Sequence, residues 1–244
     1  MSDQASRLRF LVGVNQDGEE VELDLYTLPH LLIGGMSGAG KTTFIRSIIT
    51  SLVEQNSPAE LQLILVDPKG GSFDEDSYLL SLACPILSTA EETRGALIGL
   101  VEKMQHRYEL LAETQTRDIM KFNASQKKRM PYIVFVVDEV AGLRGRNKAE
   151  YERLFVRLAQ KSRAVGIHMI LCAERPVVGT ISGLTRANIP SRIAFKTKDN
   201  IDSRVILDRV GAEKLEAPGE MILSYPGNDW KGERLDATLN LGTQ

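Results

Sequence analysis

An α/β fold, a mostly parallel sheet flanked by helices, is what this sequence predicts, and three observations carry the prediction. Short apolar runs of strand length alternate with stretches whose apolar residues recur at helical spacing. The run Leu31-Leu32-Ile33 leads into a glycine-rich loop and then directly into a helical pattern. A second run, Tyr132 to Val137, ends in two adjacent carboxylates, Asp138 and Glu139. Strands that are apolar throughout are buried on both faces, as crossover helices bury a parallel sheet.

Taken in order, Leu8 to Leu25 alternates apolar and polar residues around Asn15-Gln16-Asp17-Gly18, the pattern of a β-hairpin. Pro29 punctuates the chain before Leu31. Leu61 to Val66 reads as a buried strand. Thr89 with Glu92 forms a capping box that opens a long helix, along which Leu97, Leu100, Val101, Met104, Tyr108 and Leu111 fall on one face. Tyr132 to Val137 is the next strand, and Tyr151, Leu154, Phe155 and Leu158 mark another helix. Ile167 to Cys172, Arg192 to Phe195 and Glu220 to Tyr225 supply the remaining strands. Residues 1–28 read as an N-terminal hairpin extension packed on a main domain of residues 29–244.

A chain of 244 residues can bury a full core, and 43% hydrophobic with 25% charged residues is the balance of a globular protein rather than a disordered one. No apolar stretch approaches the ~18 residues of a membrane span. The polar start, Met1 to Arg9, does not read as a signal peptide. Cys84 and Cys172 lie in apolar surroundings without metal-ligand spacing and read as two buried thiols in a reducing compartment. The expected location is therefore cytoplasmic, with membrane association only through a membrane region in a longer protein. A net charge of −2 argues against a surface coated for nucleic acid, yet it leaves room for a local basic lining.

Gly35-Met36-Ser37-Gly38-Ala39-Gly40-Lys41-Thr42 matches G-x-x-x-x-G-K-[ST] at every fixed position. Glycines let backbone N–H groups wrap phosphate oxygens, and the following helix, starting through Thr43, turns its positive dipole end toward them. Lys41 would reach the β- and γ-phosphates of ATP, and the Thr42 hydroxyl would ligate Mg²⁺. Asp138 would hold the same ion, usually through water, and Glu139 would be the base that polarises the attacking water. Leu65-Val66-Asp67-Pro68-Lys69 ends a third strand similarly. Either Asp67 supports the active site and Lys69 contacts nucleotide or polymer, or both belong to a strand-terminating Asp-Pro turn. The basic clusters Lys127-Lys128-Arg129 and Arg144 to Lys148 read as solvated loop charge.

Beyond these motifs, the chain resembles the motor domain of the FtsK/SpoIIIE DNA translocases from about Arg9 to Tyr225. Leu28-Pro29-His30-Leu31-Leu32-Ile33 resembles the family's lead-in to the phosphate loop, and Val137-Asp138-Glu139-Val140-Ala141 its metal-binding strand end. Arg157 through His168 is similar to its helix leading into an inserted strand. More specific still are Ala187-Asn188-Ile189-Pro190-Ser191-Arg192-Ile193-Ala194-Phe195 and Ile201-Asp202-Ser203-Arg204-Val205-Ile206-Leu207-Asp208. The resemblance implies a RecA-like P-loop NTPase that assembles as a homo-oligomeric, usually hexameric, ring and threads double-stranded DNA, with ATP and Mg²⁺ as cofactors. A closed head-to-tail interface would put each active site at a subunit boundary. Arg163 matches the family's arginine finger, with Arg153 and Arg157 as neighbours able to substitute; a surface ion pair is the alternative. Arg175, Arg186 and Lys198 match the pore-facing segment and would contact the DNA backbone, although Arg175 and Arg186 could equally serve the ring interface.

The sequence departs from the family pattern at two positions. Glu174 stands where family members usually carry a Gln that senses the γ-phosphate, so a carboxylate here needs a compensating charge. Asn200 stands where a Lys is common, with Lys196 and Lys198 close by. The membrane-spanning N-terminal region and the C-terminal winged helix of the family are not matched, so the chain reads as a stand-alone motor or as the motor piece of a longer protein. A related ring ATPase that moves protein substrates, as in type VII secretion, and a weakly hydrolysing nucleotide-switched scaffold are the alternative functions.

Overall fold

Five parallel strands make the spine of the molecule, and their order fixes where chemistry can occur. The structure is a computed structural model that describes residues 8–73, 78–143, 148–174, 182–216 and 218–237. Strands β1 (Arg9–Asn15), β2 (Glu20–Asp24), β3 (His30–Gly34), β4 (Leu61–Val66), β5 (Tyr132–Val137), β6 (Ile167–Ala173), β7 (Ser191–Phe195), β8 (Glu220–Ser224) and β9 (Glu233–Asp236) form one sheet in the order β2-β1-β9-β8-β7-β3-β6-β5-β4. From β7 to β4 every pairing is parallel. From β7 to β2 every pairing is antiparallel. The sheet is thus parallel through its five-strand centre, as the α/β reading expects, and antiparallel beyond β7, where β9 follows β8 through a connection too short to carry a crossover helix.

The helices are α1 (Lys41–Gln55), α2 (Ala90–Glu113), α3 (Ile119–Ser125), α4 (Lys148–Lys161), α5 (Gly183–Asn188) and α6 (Asn200–Leu207). Alternation along β3, β4, β5 and β6 feeds two separate cores. On β5, Val134 and Val136 pack with α1 and the hairpin, whereas Ile133, Phe135 and Val137 pack under α2, α3 and α4. Helix α1 buries Phe44, Ile45, Ile48, Ile49 and Leu52 at helical spacing and ends where the Asn56 amide donates to the Leu52 carbonyl at 2.7 Å. Each such fully buried large side chain contributes about 2 kcal/mol of hydrophobic stabilisation.

Thr89 and Glu92 form the capping box of α2. Its face carries Leu97, Leu100, Val101, Met104 and Leu111 inward, while Tyr108 stays at the rim with its hydroxyl donating to the Lys161 carbonyl at 2.6 Å. The hairpin turns where Asn15 Oδ1 accepts from the amides of Asp17 and Glu19. It extends the sheet through β9, and the Gln55 side chain of α1 donates to the Arg9 carbonyl at 2.8 Å. Cys172 is fully buried and burial pushes its thiol pKa up, but Cys84 is only half-buried, on a connection rather than in the core. Lys127, Lys128 and Arg129 are exposed on a loop, and Arg144 to Arg146 and Asn147 lie outside the described residues. Among the described residues no helix is long and apolar enough to cross a membrane.

Candidate active site

Because β3, β4, β5 and β6 run parallel, their last residues share one edge, and the chain emerging from each meets the others there. Gly34 leads into the loop 35–42, Val66 into Asp67, Val137 into Asp138-Glu139, and Ala173 into Glu174. A cleft of about 450 Å³ opens between them, lined from the loop by Ser37, Gly38, Gly40, Lys41, Thr42 and Thr43 and from across by Asp138, Glu139 and Glu174. Every predicted catalytic and metal residue except Arg163 is therefore in one place.

Two glycines of the loop are required by geometry. At Gly35, φ is +151° and a Cβ would lie 2.8 Å from that of Phe195; at Gly40, φ is +104° and a Cβ would press on the Gly219 amide at 3.2 Å. The loop is held from behind where the Met36 amide donates to the Lys196 carbonyl at 2.7 Å and the Gly219 amide to the Ala39 carbonyl at 3.1 Å. Gly40 caps α1, and Lys41 is its first residue, with Nζ donating to the Met36 carbonyl at 2.7 Å. Lys41 is thus curled along the loop and already buried.

Asp138 gathers hydroxyls. Thr42 Oγ1 donates to its Oδ1 at 3.3 Å, and Ser72 Oγ donates to its Oδ2 at 2.6 Å. Ser72 is a site residue that the sequence did not disclose. It is delivered by Asp67, whose carboxylate accepts from the amides of Gly70 at 2.9 Å and Ser72 at 2.7 Å, and by Arg46, whose guanidinium donates to the carbonyls of Gly71 and Ser72. The choice left open for Asp67 and Lys69 is resolved in two parts: Asp67 anchors the turn, and Lys69 lines the cleft.

Glu139 is 5% exposed, and each of its oxygens accepts one amide, Oε1 from Ala141 at 2.8 Å and Oε2 from Glu174 at 2.9 Å. The carboxylate is thereby fixed in orientation with lone pairs left to accept from water. Glu174 is compensated by Lys69, with which it makes an ion pair, and by the Ser37 hydroxyl. The Lys69 ammonium, first, and Ser37, second, hold the Glu174 carboxyl below the usual carboxylate range, and Glu174 raises the pKa of Lys69 in turn.

Arg163 lies elsewhere. It is in a 3-10 turn, Arg163–Val165, not on the helix that carries Arg153 and Arg157, because α4 ends at Lys161. That turn enters β6 at its first residue, so the whole strand, roughly 20 Å, separates Arg163 from the cleft of its own chain. Its guanidinium sits 5.8 Å from the centre of the Tyr26 ring, and Nε donates to the Tyr26 carbonyl at 3.1 Å. Of the expected DNA contacts, Lys198 is exposed. Arg186 is largely committed inside the fold, donating to the Val205 carbonyl at 2.8 Å and facing Asp208, which favours a structural role over a DNA contact. Arg175 lies outside the described residues. Asn200 is exposed in the first turn of α6, which Asp199 caps.

A glycine-turned loop with a lysine and a hydroxyl at a helix start, faced by adjacent carboxylates just past the end of a parallel strand two places away in the sheet, defines the class of P-loop ATPases. Within that class, the model of the FtsK/SpoIIIE family matches residues 1–178, and the chain belongs to that family. It is 37% identical over 238 residues to the DNA translocase FtsK of Chlamydia trachomatis, covering 92% of this chain and 30% of that protein. The chain therefore spans about a third of the length of that curated relative. Among solved structures, the pCW3 conjugation coupling protein TcpA with ATPγS superposes with a TM-score of 0.83 at 24% identity, over 96% of this chain and 66% of that one. The cytoplasmic domain of the Thermomonospora curvata type VII secretion ATPase EccC superposes with a TM-score of 0.81 at 27% identity, over 97% of this chain and 29% of that one.

Proposed function

We propose that this chain is the motor of an ATP-driven translocase for double-stranded DNA that works as a closed, hexameric ring. The observation that carries the reading is the division of the site between two edges of the sheet. Lys41, Thr42, Asp138 and Glu139 line the cleft at one edge, and Arg163 is braced on Tyr26 at the other. A head-to-tail contact would bring the second edge of one copy onto the first edge of the next.

In this reading Lys41 and the loop amides hold the β- and γ-phosphates. Thr42 and Asp138, with Ser72 orienting Asp138, would hold Mg²⁺, and their hydroxyl and carboxylate oxygens suit a hard cation. The bound ion would neutralise charge on the phosphates. Glu139, held on two amides, orients the attacking water and accepts its proton. Arg163 of the neighbouring copy stabilises charge on the transferring phosphoryl group. Lys198 and Arg175 contact the DNA backbone, an interaction blind to sequence and sensitive to salt.

The names of the curated relatives support DNA as the substrate. The likeness to a secretion ATPase favours, as a second reading, a ring that moves protein. Particle images of the protein with long duplex DNA and ATPγS test the proposal. Rings encircling duplex are the expected result; single copies lying off the DNA under saturating nucleotide would refute it.

A further inference from the structure

We propose that Lys69 is the cation by which this chain distinguishes a nucleoside triphosphate from a diphosphate, with Glu174 as the anion from which the terminal phosphoryl group displaces it. The two residues are 105 positions apart in sequence and meet over the cleft. Lys69 belongs to the turn 67–72 that also brings Ser72 onto Asp138, so it approaches from the metal and base side, opposite the loop that carries Lys41. The two lysines thus reach the cleft from different walls.

Competition for the two lysines makes the exchange favourable. Among the described residues lining the cleft, the charged ones facing Asp138, Glu139 and Glu174 are Lys41 and Lys69. A triphosphate adds a terminal group with more negative charge than a carboxylate and several acceptor oxygens, which binds an ammonium more strongly than Glu174 can. The ion pair is also built to be given up. The side chains of Lys69 and Glu174 are 54% and 27% exposed, and a solvated pair of this kind contributes little to stability. A diphosphate leaves the pair closed.

Displacement has a consequence for the base. Glu174 also accepts from Ser37 of the phosphate loop, and its own amide donates to Glu139 Oε2 at 2.9 Å. Losing Lys69 leaves Glu174 without its ion-pair partner beside the phosphate, which repels it. Its movement acts on the residue whose amide orients Glu139, so the presence of the terminal phosphate is conveyed to the base. Glu174 is in this sense a positioning residue, and the charged pair replaces the neutral side chain expected at position 174. The inference rests on the nucleotide site alone and on neither DNA nor the ring.

Calorimetric affinities of the purified chain for Mg-ATPγS and Mg-ADP test it. Lys69→Ala is expected to weaken ATPγS binding about tenfold or more, the scale of a lost charge-assisted hydrogen bond, and ADP binding less than about twofold. Lys69→Arg should retain the preference for ATPγS. Glu174→Gln should tighten ATPγS about threefold relative to ADP, since no carboxylate then competes for Lys69. Equal losses for both nucleotides in Lys69→Ala, or an unchanged ratio in Glu174→Gln, overturn the proposal. Wild-type affinity for both nucleotides in Lys41→Ala would instead remove the nucleotide site on which the proposal stands.

Discussion

Acid should loosen this fold through two histidines that take no part in the chemistry. His30 on β3 and His168 on β6 are fully buried at the edge of the sheet opposite the cleft. His30 Nδ1 accepts from the Met169 amide, and His168 Nδ1 lies 3.0 Å from the Pro29 carbonyl, to which it donates. Burial, chiefly, and the neighbouring cationic groups push their pKa values from 6.5 down to about 3 and about 4. Between those values and 6.5 the unfolded chain binds protons that the folded chain refuses. Their contribution is therefore complete above pH 6.5 and is lost as the pH falls below it. At pH 5.5 each imidazole costs about 1.4 kcal/mol relative to neutral pH, and the pair about 3 kcal/mol, a large part of a typical stability. Urea unfolding at pH 7.5 and 5.5, at fixed ionic strength, reads this difference directly. His168→Asn, which keeps a donor for Pro29, should remove about half of the pair's share of the pH dependence, and the double variant with His30→Asn nearly all of it. A double variant with the wild-type difference between the two pH values would refute the reasoning.

Three further outcomes follow from the site. Ser72→Ala removes the hydroxyl from Asp138 Oδ2 and should raise the Mg²⁺ concentration for half-maximal nucleotide binding about fivefold, the scale of one net hydrogen bond; an unchanged Mg²⁺ titration argues against it. Glu139→Gln should bind ATPγS within about twofold of wild type yet turn over at least ~100-fold more slowly; equal losses in binding and turnover would mean that Glu139 shapes the pocket. Arg163→Ala should bind nucleotide normally and lose roughly 1,000-fold in turnover, with partial recovery when mixed with Glu139→Gln copies, because one interface of the mixture pairs an intact base with an intact finger. Unchanged turnover, or no recovery on mixing, would exclude action between copies.

The legible parts of this molecule were those written locally. The phosphate loop lies between an apolar strand and a helix within a dozen residues, Asp138-Glu139 follows its strand directly, and the capping box of α2 spans four residues. The hidden parts depend on contacts between distant segments. Ser72 meets Asp138 across 66 positions and Lys69 meets Glu174 across 105. The glycine pair Gly70-Gly71, both at positive φ, is the signal that could have marked that turn as shaped for a purpose. β9 is hidden in the sequence because Glu233–Asp236 has one buried apolar residue, Leu235, amid charged neighbours. Beyond the hairpin, the antiparallel pairings that join β1, β9, β8 and β7 are not legible because strand periodicity carries no direction. Arg163 reads as part of α4 because the helical spacing of Arg157 to Ala164 runs beyond Lys161, where the helix ends and a 3-10 turn leads through Gly166, at φ +69°, into β6.

The central claim, that hydrolysis here is coupled to duplex DNA, is tested most directly by the ATPase rate with and without long duplex as salt is raised. The account predicts several-fold stimulation at low salt that fades steeply toward high salt, as phosphate contacts are exchanged for cations. An ATPase that turns over ATP at the same rate with and without duplex at low salt would contradict it.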